Sequence, residues 1–260
     1  MSPLARRALS LVRFAFILIL PLAFTRAVHA DTWTSGQEIT NPQSFWGDDN
    51  DTPPNPAALL IANNFNSVYA ATGDLLYVGA PGGYQLIFTR AETLLLYLPT
   101  AGPVGPLDAT LVDPMSTSAG SFGGEVTALQ LNVDFSSAGL LGSSSVPFGN
   151  LVLTGFDGSL SSLNGQTVSQ FLGDVSVLLG GGSSIYTIDQ LDNASDSIIV
   201  DLNTSFSNGN PSPWADEHLT LPTGTTGGGG GGTTSMPEPS SVVLLGAGLL
   251  GILGLAKFKA

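Results

Sequence analysis

The chain of 260 residues carries a net charge of −13 and contains no cysteine. Without cysteine, disulfide frameworks and thiolate metal sites are excluded, so a single domain of this length depends on its packed core. Between Asp31 and Met236 only Arg90 is basic, against 19 of the 20 acidic residues, which gives this part a charge of −18. This composition excludes nucleic acid as a partner and disfavours anionic lipid headgroups, because both are bound by clustered Lys and Arg.

The first 30 residues have the three parts of a secretory signal peptide. Arginines precede the apolar run FAFILILPLAF at 14–24, which is interrupted by Pro21. The run is too short to cross about 30 Å of hydrocarbon as a stable helix. Val28 and Ala30 supply the small residues that signal peptidase selects, so cleavage is predicted after Ala30. An uncleaved membrane anchor is the alternative interpretation.

An acidic, turn-rich segment, WGDDNDTPPNP, follows at 46–56. Asp48, Asp49 and Asp51, with Asn50 between them, offer the hard oxygen ligands that Ca²⁺ prefers. The segment lacks the turn glycine and the later Glu of an EF-hand loop. A solvated loop is therefore the preferred interpretation, with a Ca²⁺ site as the alternative, and no other cofactor is predicted.

A short helix and a β-hairpin are predicted next. The segment AALLIANNF is expected to form a helix before Tyr69. The runs LLYVG at 75–79 and YQLIFT at 84–89 are rich in β-branched and aromatic residues, and APGG lies between them. Two such runs joined by Pro and Gly are typical of a hairpin with a short loop.

Helical and strand patterns then alternate. The segment AETLLLYL at 91–98 contains helix formers and is followed by Pro99. A helix is favoured within 123–141, where Val126, Leu129 and Val133 share one stripe, although LQLNVDF also alternates as a strand would. The segment NLVLTGF at 150–156 is predicted to be a strand.

Two later segments have strong helical periodicity. In GQTVSQFLGDVSVLLGGG, at 165–182, apolar residues fall on one face before three glycines end the pattern. The segment at 187–206 begins with a capping-box pair, Thr187 and Gln190. One helix would place these residues on one face: Ile188, Leu191, Ile198, Leu202 and Phe206. The predicted fold class is α+β, an N-terminal β-hairpin region packed with several amphipathic helices.

The C-terminal residues form four consecutive segments after the predicted domain, 31–219. A Thr/Gly-rich linker at 220–236 precedes Pro237, Glu238 and Pro239, an apolar stretch at 241–256, and the basic residues Lys257 and Lys259. About 16 residues at 1.5 Å each make a helix of about 24 Å, which predicts a short transmembrane helix. The two lysines would keep its end in the cytoplasm and place the acidic domain outside.

This order of segments at 237–260 resembles the PEP-CTERM sorting signal of Gram-negative bacteria, and Pro237, Glu238 and Pro239 match its motif. The resemblance implies that an exosortase in the inner membrane recognises the tail and cuts near the Pro-Glu-Pro. The protein would then be released or transferred toward the cell surface and its exopolysaccharide. Two lysines stand where the family usually has an Arg-rich cluster. A tail anchor that is never cut is the alternative.

Catalytic signatures are sparse between the two terminal segments. His218 is the only histidine after signal removal, no GxSxG is present, and a solvated loop histidine is the preferred interpretation. Trp33, Trp46 and Trp214 could stack on sugars, although burial as loop anchors is more common. Abundant carboxylates leave open an acid/base pair that only the fold could assemble.

These patterns predict a non-enzymatic, exported structural or interaction protein of the cell envelope or of the exopolysaccharide matrix of a biofilm. Its expected partners are signal peptidase, exosortase, the inner membrane and exopolysaccharide. The alternative is a secreted carbohydrate-active enzyme that uses paired carboxylates. Two carboxylates in a deep cleft beside a Trp would favour the enzyme, whereas acids scattered over a compact surface would favour the interaction protein.

Overall fold

The computed structural model of the protein describes residues 33–47, 55–193 and 196–222. Helices alternate with short strands over these ranges, so the predicted mixed α and β composition is confirmed. The transmembrane helix predicted at 241–256 lies outside the described residues. Within them, the helices are too short or too polar to cross a bilayer.

The helices and strands follow the chain in an irregular order. The α-helices are α1 (Gln43–Trp46), α2 (Pro56–Val68), α3 (Ala91–Tyr97), α4 (Gly120–Ser137), α5 (Val168–Leu179), α6 (Ile188–Leu191), α7 (Ile198–Thr204) and α8 (Pro213–His218). The strands are β1 (Leu76–Val78), β2 (Leu86–Phe88), β3 (Leu111–Val112), β4 (Val152–Leu153), β5 (Asp192–Asn193), β6 (Asp196–Ser197) and β7 (Leu219–Thr220).

A three-stranded sheet confirms the predicted hairpin. Strands β1 and β2 are antiparallel, and β3 adds to β2 in parallel, in the order β1-β2-β3. Because side chains alternate between the faces of a strand, one face carries the buried residues Leu76, Val78, Leu86 and Phe88. The register places Tyr77, Ile87 and Val112 in one cross-strand row on the opposite face.

The centre of the core is α4. Of its 18 residues, 14 are buried, so it is enclosed on every side rather than along one stripe. The helices α1, α5 and α7 pack against it, and β1 also contacts it. The predicted helix is therefore confirmed, and the strand alternative for LQLNVDF is wrong.

Local capping explains where the other predicted helices begin. Helix α2 starts with Pro56 after Asn55, whose side chain accepts a hydrogen bond from the Ala58 amide at 2.9 Å. Helix α5 starts with a capping box in which Thr167 and Gln170 exchange side-chain to backbone hydrogen bonds of 3.2 and 2.8 Å.

The strand predicted at 150–156 is present but is shorter than predicted. It covers only β4, which pairs with β7.

The single helix predicted at 187–206 is wrong. Helix α6 ends at Leu191, β5 and β6 form an antiparallel pair, and α7 begins at Ile198. The Ser197 hydroxyl donates to Asp192 Oδ1 at 2.7 Å and accepts from the Val200 amide at 3.2 Å. Ser and Asp favour such local bonds over a continuing helix, so the polar residues interrupt the apolar period. The Thr187 and Gln190 pair does cap α6, with the Thr187 amide donating to Gln190 Oε1 at 2.9 Å.

Two glycines with similar backbone angles provide a test of packing at the start of α4. Gly120 has φ +55°, and an added Cβ would overlap the carbonyl oxygen of Pro103. Gly139 has φ +71°, and an added Cβ would have no neighbour within 4 Å. We expect Gly120→Ala to lower the free energy of unfolding by about 2 kcal/mol more than Gly139→Ala, because only the first adds a clash to the left-handed strain. Urea unfolding of both variants measures this difference, and equal losses would contradict it.

Candidate functional site

A pocket of about 450 Å³ opens between the end of α2, strand β1 and the second half of α4. Its polar lining residues are Tyr69, Thr72, Tyr77, Gln130, Asp134 and Ser137. Its apolar lining residues are Val68, Leu75, Leu76 and Ala138. This volume falls in the range of small-molecule sites in proteins, and we refer to it as the Asp134 pocket.

The carboxylate of Asp134 is the polar centre of this pocket. Its Oδ2 accepts a hydrogen bond from the Tyr69 hydroxyl at 3.1 Å, and Gln130 Nε2 lies 2.9 Å from both carboxylate oxygens. Burial raises the pKa of Asp134, and the bonds from Gln130 and Tyr69 partly offset that rise. Burial, with the nearby charge of Asp134, also holds the pKa of Tyr69 well above its ordinary value. Tyr69 therefore remains a neutral hydrogen-bond donor at physiological pH.

The lining of the Asp134 pocket includes one well-exposed aromatic residue. This residue is Tyr77, with 39% of its surface exposed. None of the lining residues is Lys, Arg or His. The arrangement combines acceptors and hydroxyl donors with an aromatic surface, and it offers no positive charge to an anion.

Two other carboxyls, Glu125 and Asp192, interact inside the domain. Glu125 accepts from Gln43 Nε2 at 2.7 Å and from Asn203 Nδ2 at 2.9 Å. Burial raises the pKa of both carboxyls, and the charge of Asp192 further raises that of Glu125. The exposed fractions are only 9% for Glu125 and 7% for Asp192. The two acids therefore contact neighbouring protein groups rather than an open cleft.

Glu38 is the most deeply buried carboxyl of those described, with 1% of its surface exposed. The preceding residues pair with the 143–144 loop, since the amides of Ser143 and Ser144 donate to Gln37 O at 2.9 and 2.8 Å. Neither Glu38 oxygen makes a hydrogen bond of good geometry within the described residues. Burial raises the pKa of Glu38 from 4.5 to about 7, and a weaker interaction with the Ser144 side chain lowers it only partly.

The histidine and tryptophan side chains are anchors between elements. His218 is not a solvated loop residue, because it ends α8 partly buried, with its ring 4.6 Å from Phe156 and 4.8 Å from Trp214 between centroids. Its Nδ1 lies 3.0 Å from Thr154 O. Trp46 is fully buried, and Trp33 packs edge-on against Phe206. The preferred interpretation of the tryptophans as packed anchors agrees with these positions.

Most of the sequence-predicted site residues lie outside the described ranges. These are Val28 and Ala30 of the signal-peptidase site, the Ca²⁺ candidates Asp48, Asp49 and Asp51, the motif Pro237, Glu238 and Pro239, and the basic end Lys257 and Lys259. Among the described residues, no three His, Asp or Glu side chains lie close enough together to hold a metal ion. The division into signal peptide, domain, linker and sorting signal stays a prediction.

The sequence patterns did not mark Asp134 or Tyr69 as site residues. Gln130 and Asp134 stand four residues apart on a predicted helix, a spacing that allows an amide to bond a carboxylate. That signal was present in the sequence. Tyr69, however, is 65 residues from Asp134 and reaches it only through tertiary packing.

Comparison with known proteins identifies the C-terminal tail. Residues 237–257 match the family model described as the PEP-CTERM protein-sorting motif. This match covers the Pro-Glu-Pro, the apolar stretch and Lys257, so the predicted resemblance is confirmed. No curated protein and no solved structure matches the chain.

The motif implies an exported protein that is anchored in a membrane and then processed. More specifically, the chain carries the PEP-CTERM protein-sorting motif, which implies an exosortase as its processing partner.

Proposed function

We propose that the acidic domain is a non-catalytic structural or interaction protein of the cell envelope or exopolysaccharide matrix. The sorting motif at 237–257 carries this proposal, because it directs the preceding domain outside the cell. Signal peptidase removes residues 1–30 from the same precursor. The domain would then act at the surface or in the matrix outside it.

Charge supports this assignment. A body with a charge of −18 and one arginine remains soluble and repels nucleic acid and anionic lipid surfaces. The binding partners that this charge allows are uncharged or cationic molecules. The Asp134 pocket has the same preference, since its lining lacks Lys, Arg and His.

The distribution of carboxylates favours this role over a glycosidase. A glycosidase needs two carboxyls that flank a substrate in a cleft. The Asp134 pocket is lined by one carboxylate and no Trp, and the interacting pair Glu125 and Asp192 is more than nine-tenths buried. The positions of the carboxylates therefore agree better with an interaction protein than with a glycosidase.

Disrupting the Pro-Glu-Pro should prevent tail processing. We expect the triple variant Pro237→Ala, Glu238→Ala, Pro239→Ala to keep residues 241–256 and stay in the membrane fraction, with at least tenfold less product at the surface. The reason is that cleavage near the motif would separate the domain from its apolar stretch. Mass spectrometry of both protein ends, made separately for each cell fraction of the producing organism, measures the outcome.

The control for this experiment is Glu217→Ala, which removes an exposed acid from α8 and should be processed like wild type. The wild-type surface product is expected to begin at Asp31 and to end near residue 237. An intact C-terminus on that product, or normal sorting of the triple variant, would contradict the proposal.

A further inference from the structure

We propose that the Asp134 pocket binds an uncharged sugar residue of a polysaccharide. In this arrangement the ring of Tyr77 packs against one face of the sugar, while Asp134 and Gln130 bond its hydroxyl groups. The proposal rests on the proposed function only in taking the matrix polysaccharide as the natural ligand.

The hydrogen-bonding groups are held in place before any ligand arrives. The hydroxyl of the buried Tyr69 and the amide of Gln130 fix the plane of the Asp134 carboxylate. A carboxylate has about four acceptor positions, so it can take further hydroxyl donors from a ligand. Hydrogen bonds from hydroxyls to a carboxylate are short and strong, and a pre-oriented acceptor adds little ordering cost.

The aromatic contribution comes from Tyr77. Its side chain is 39% exposed beside the pocket, and an aromatic face is electron-rich, which suits the electropositive C–H groups of a sugar. Tyr77 also begins the cross-strand row that continues through Ile87 to Val112, which is 61% exposed. This row provides an apolar strip for neighbouring units of a chain, so a polymer fits better than a free monosaccharide.

Charge selects against anionic ligands, and the number of exposed aromatic rings selects against quaternary ammonium ligands. Anionic polymers would meet a body of charge −18 and a lining without Lys, Arg or His. For a quaternary ammonium ligand, Tyr77 is the one well-exposed aromatic ring in the lining. Cation-binding cages need several exposed rings. An uncharged, hydroxyl-rich ligand therefore fits the pocket best.

Calorimetric titration of the processed protein, purified from the producing cells, tests this assignment. The probes are the neutral fraction of that organism's exopolysaccharide, cellohexaose and maltohexaose. We expect saturable binding of at least one probe, weakened at least tenfold by Tyr77→Ala and by Asp134→Asn. Tyr84→Ala is the matched control, because Tyr84 is a similarly exposed tyrosine of the same hairpin outside the pocket, and it should change affinity less than twofold.

Several results would overturn the proposal. These are absence of binding to all three neutral probes, equal effects of Tyr77→Ala and Tyr84→Ala, or binding of choline or polygalacturonate in their place. Thermal unfolding of each variant checks folding, and the exposed position of Tyr77 keeps the test valid if Asp134→Asn unfolds. If the wild-type protein is sorted to the surface but binds no sugar probe, only the assignment of the pocket is refuted. If the wild-type protein binds a sugar probe but is not sorted to the surface, only the proposed function is refuted.

Discussion

Replacing Glu38 by Gln should raise the free energy of unfolding at pH 8 by about 2 to 3 kcal/mol and leave it nearly unchanged at pH 4. The side chain is 1% exposed, and neither oxygen makes a hydrogen bond of good geometry within the described residues. At pH 8 the wild-type protein has to bury a negative charge there, which the Ser144 side chain offsets only partly. Glutamine has nearly the same shape and carries no charge.

The direction of the pH dependence follows from the pKa. Burial raises the pKa of Glu38 from 4.5 to about 7, so the folded protein binds a proton that the unfolded chain releases between these values. The contribution of Glu38 to the free energy of unfolding is therefore fully present below about pH 4.5, and it is lost as the pH rises through about 7. The rise in pKa corresponds to about 3.5 kcal/mol at most, at about 1.4 kcal/mol for each pKa unit.

Urea unfolding of wild type and Glu38→Gln across pH 4 to 8 measures the effect. Other buried carboxyls also titrate, so the quantity to compare is the difference between the two proteins at each pH. Glu217→Gln serves as the control, because this exposed acid should change stability by less than about 0.5 kcal/mol at either end. A Glu38→Gln protein that is equally stable or less stable than wild type at pH 8 would contradict the burial of a charge there.

Local signals in the sequence were sufficient for much of the fold. The β1–β2 hairpin followed from two β-branched runs around Pro and Gly, and α5 followed from its period and its capping pair. These elements are specified by neighbouring residues, so the surrounding fold only reinforces them. The same holds for the sorting tail, whose motif is read as a linear sequence.

Tertiary packing decided the features that the sequence did not predict. The break in the helix predicted from Ile188 to Phe206 is the exception, because it comes from a local bond between Ser197 and Asp192. Glu38 resembles any other acid in the sequence, and its burial depends on loops about a hundred residues away. The Asp134 pocket likewise depends on Tyr69 meeting α4. Long-range contacts of this kind leave no periodic signal.

The buried side chain of Asn132 connects three parts of the core. Its Oδ1 accepts from the Asn41 amide at 2.8 Å and from Trp46 Nε1 at 3.3 Å. Its Nδ2 donates to Asn41 O at 2.9 Å and to Asn203 Oδ1 at 3.0 Å. The N-terminal segment is thereby joined to α4 and α7. Asn203 continues the network to Glu125, so the loss of Asn132 would also disturb that carboxyl.

Asn132→Ala should lower the free energy of unfolding by about 4 kcal/mol, because it leaves several buried polar groups unpaired at about 1 to 3 kcal/mol each before relaxation. Urea unfolding measures the loss. Asn63→Ala, at an exposed position of α2, is the matched control and should change stability by about 0.5 kcal/mol or less. A loss below about 1 kcal/mol for Asn132→Ala would mean that entering water replaces these bonds. The larger loss is expected because Asn132, Asn203 and Trp46 are each fully buried, which leaves water little access to the freed groups.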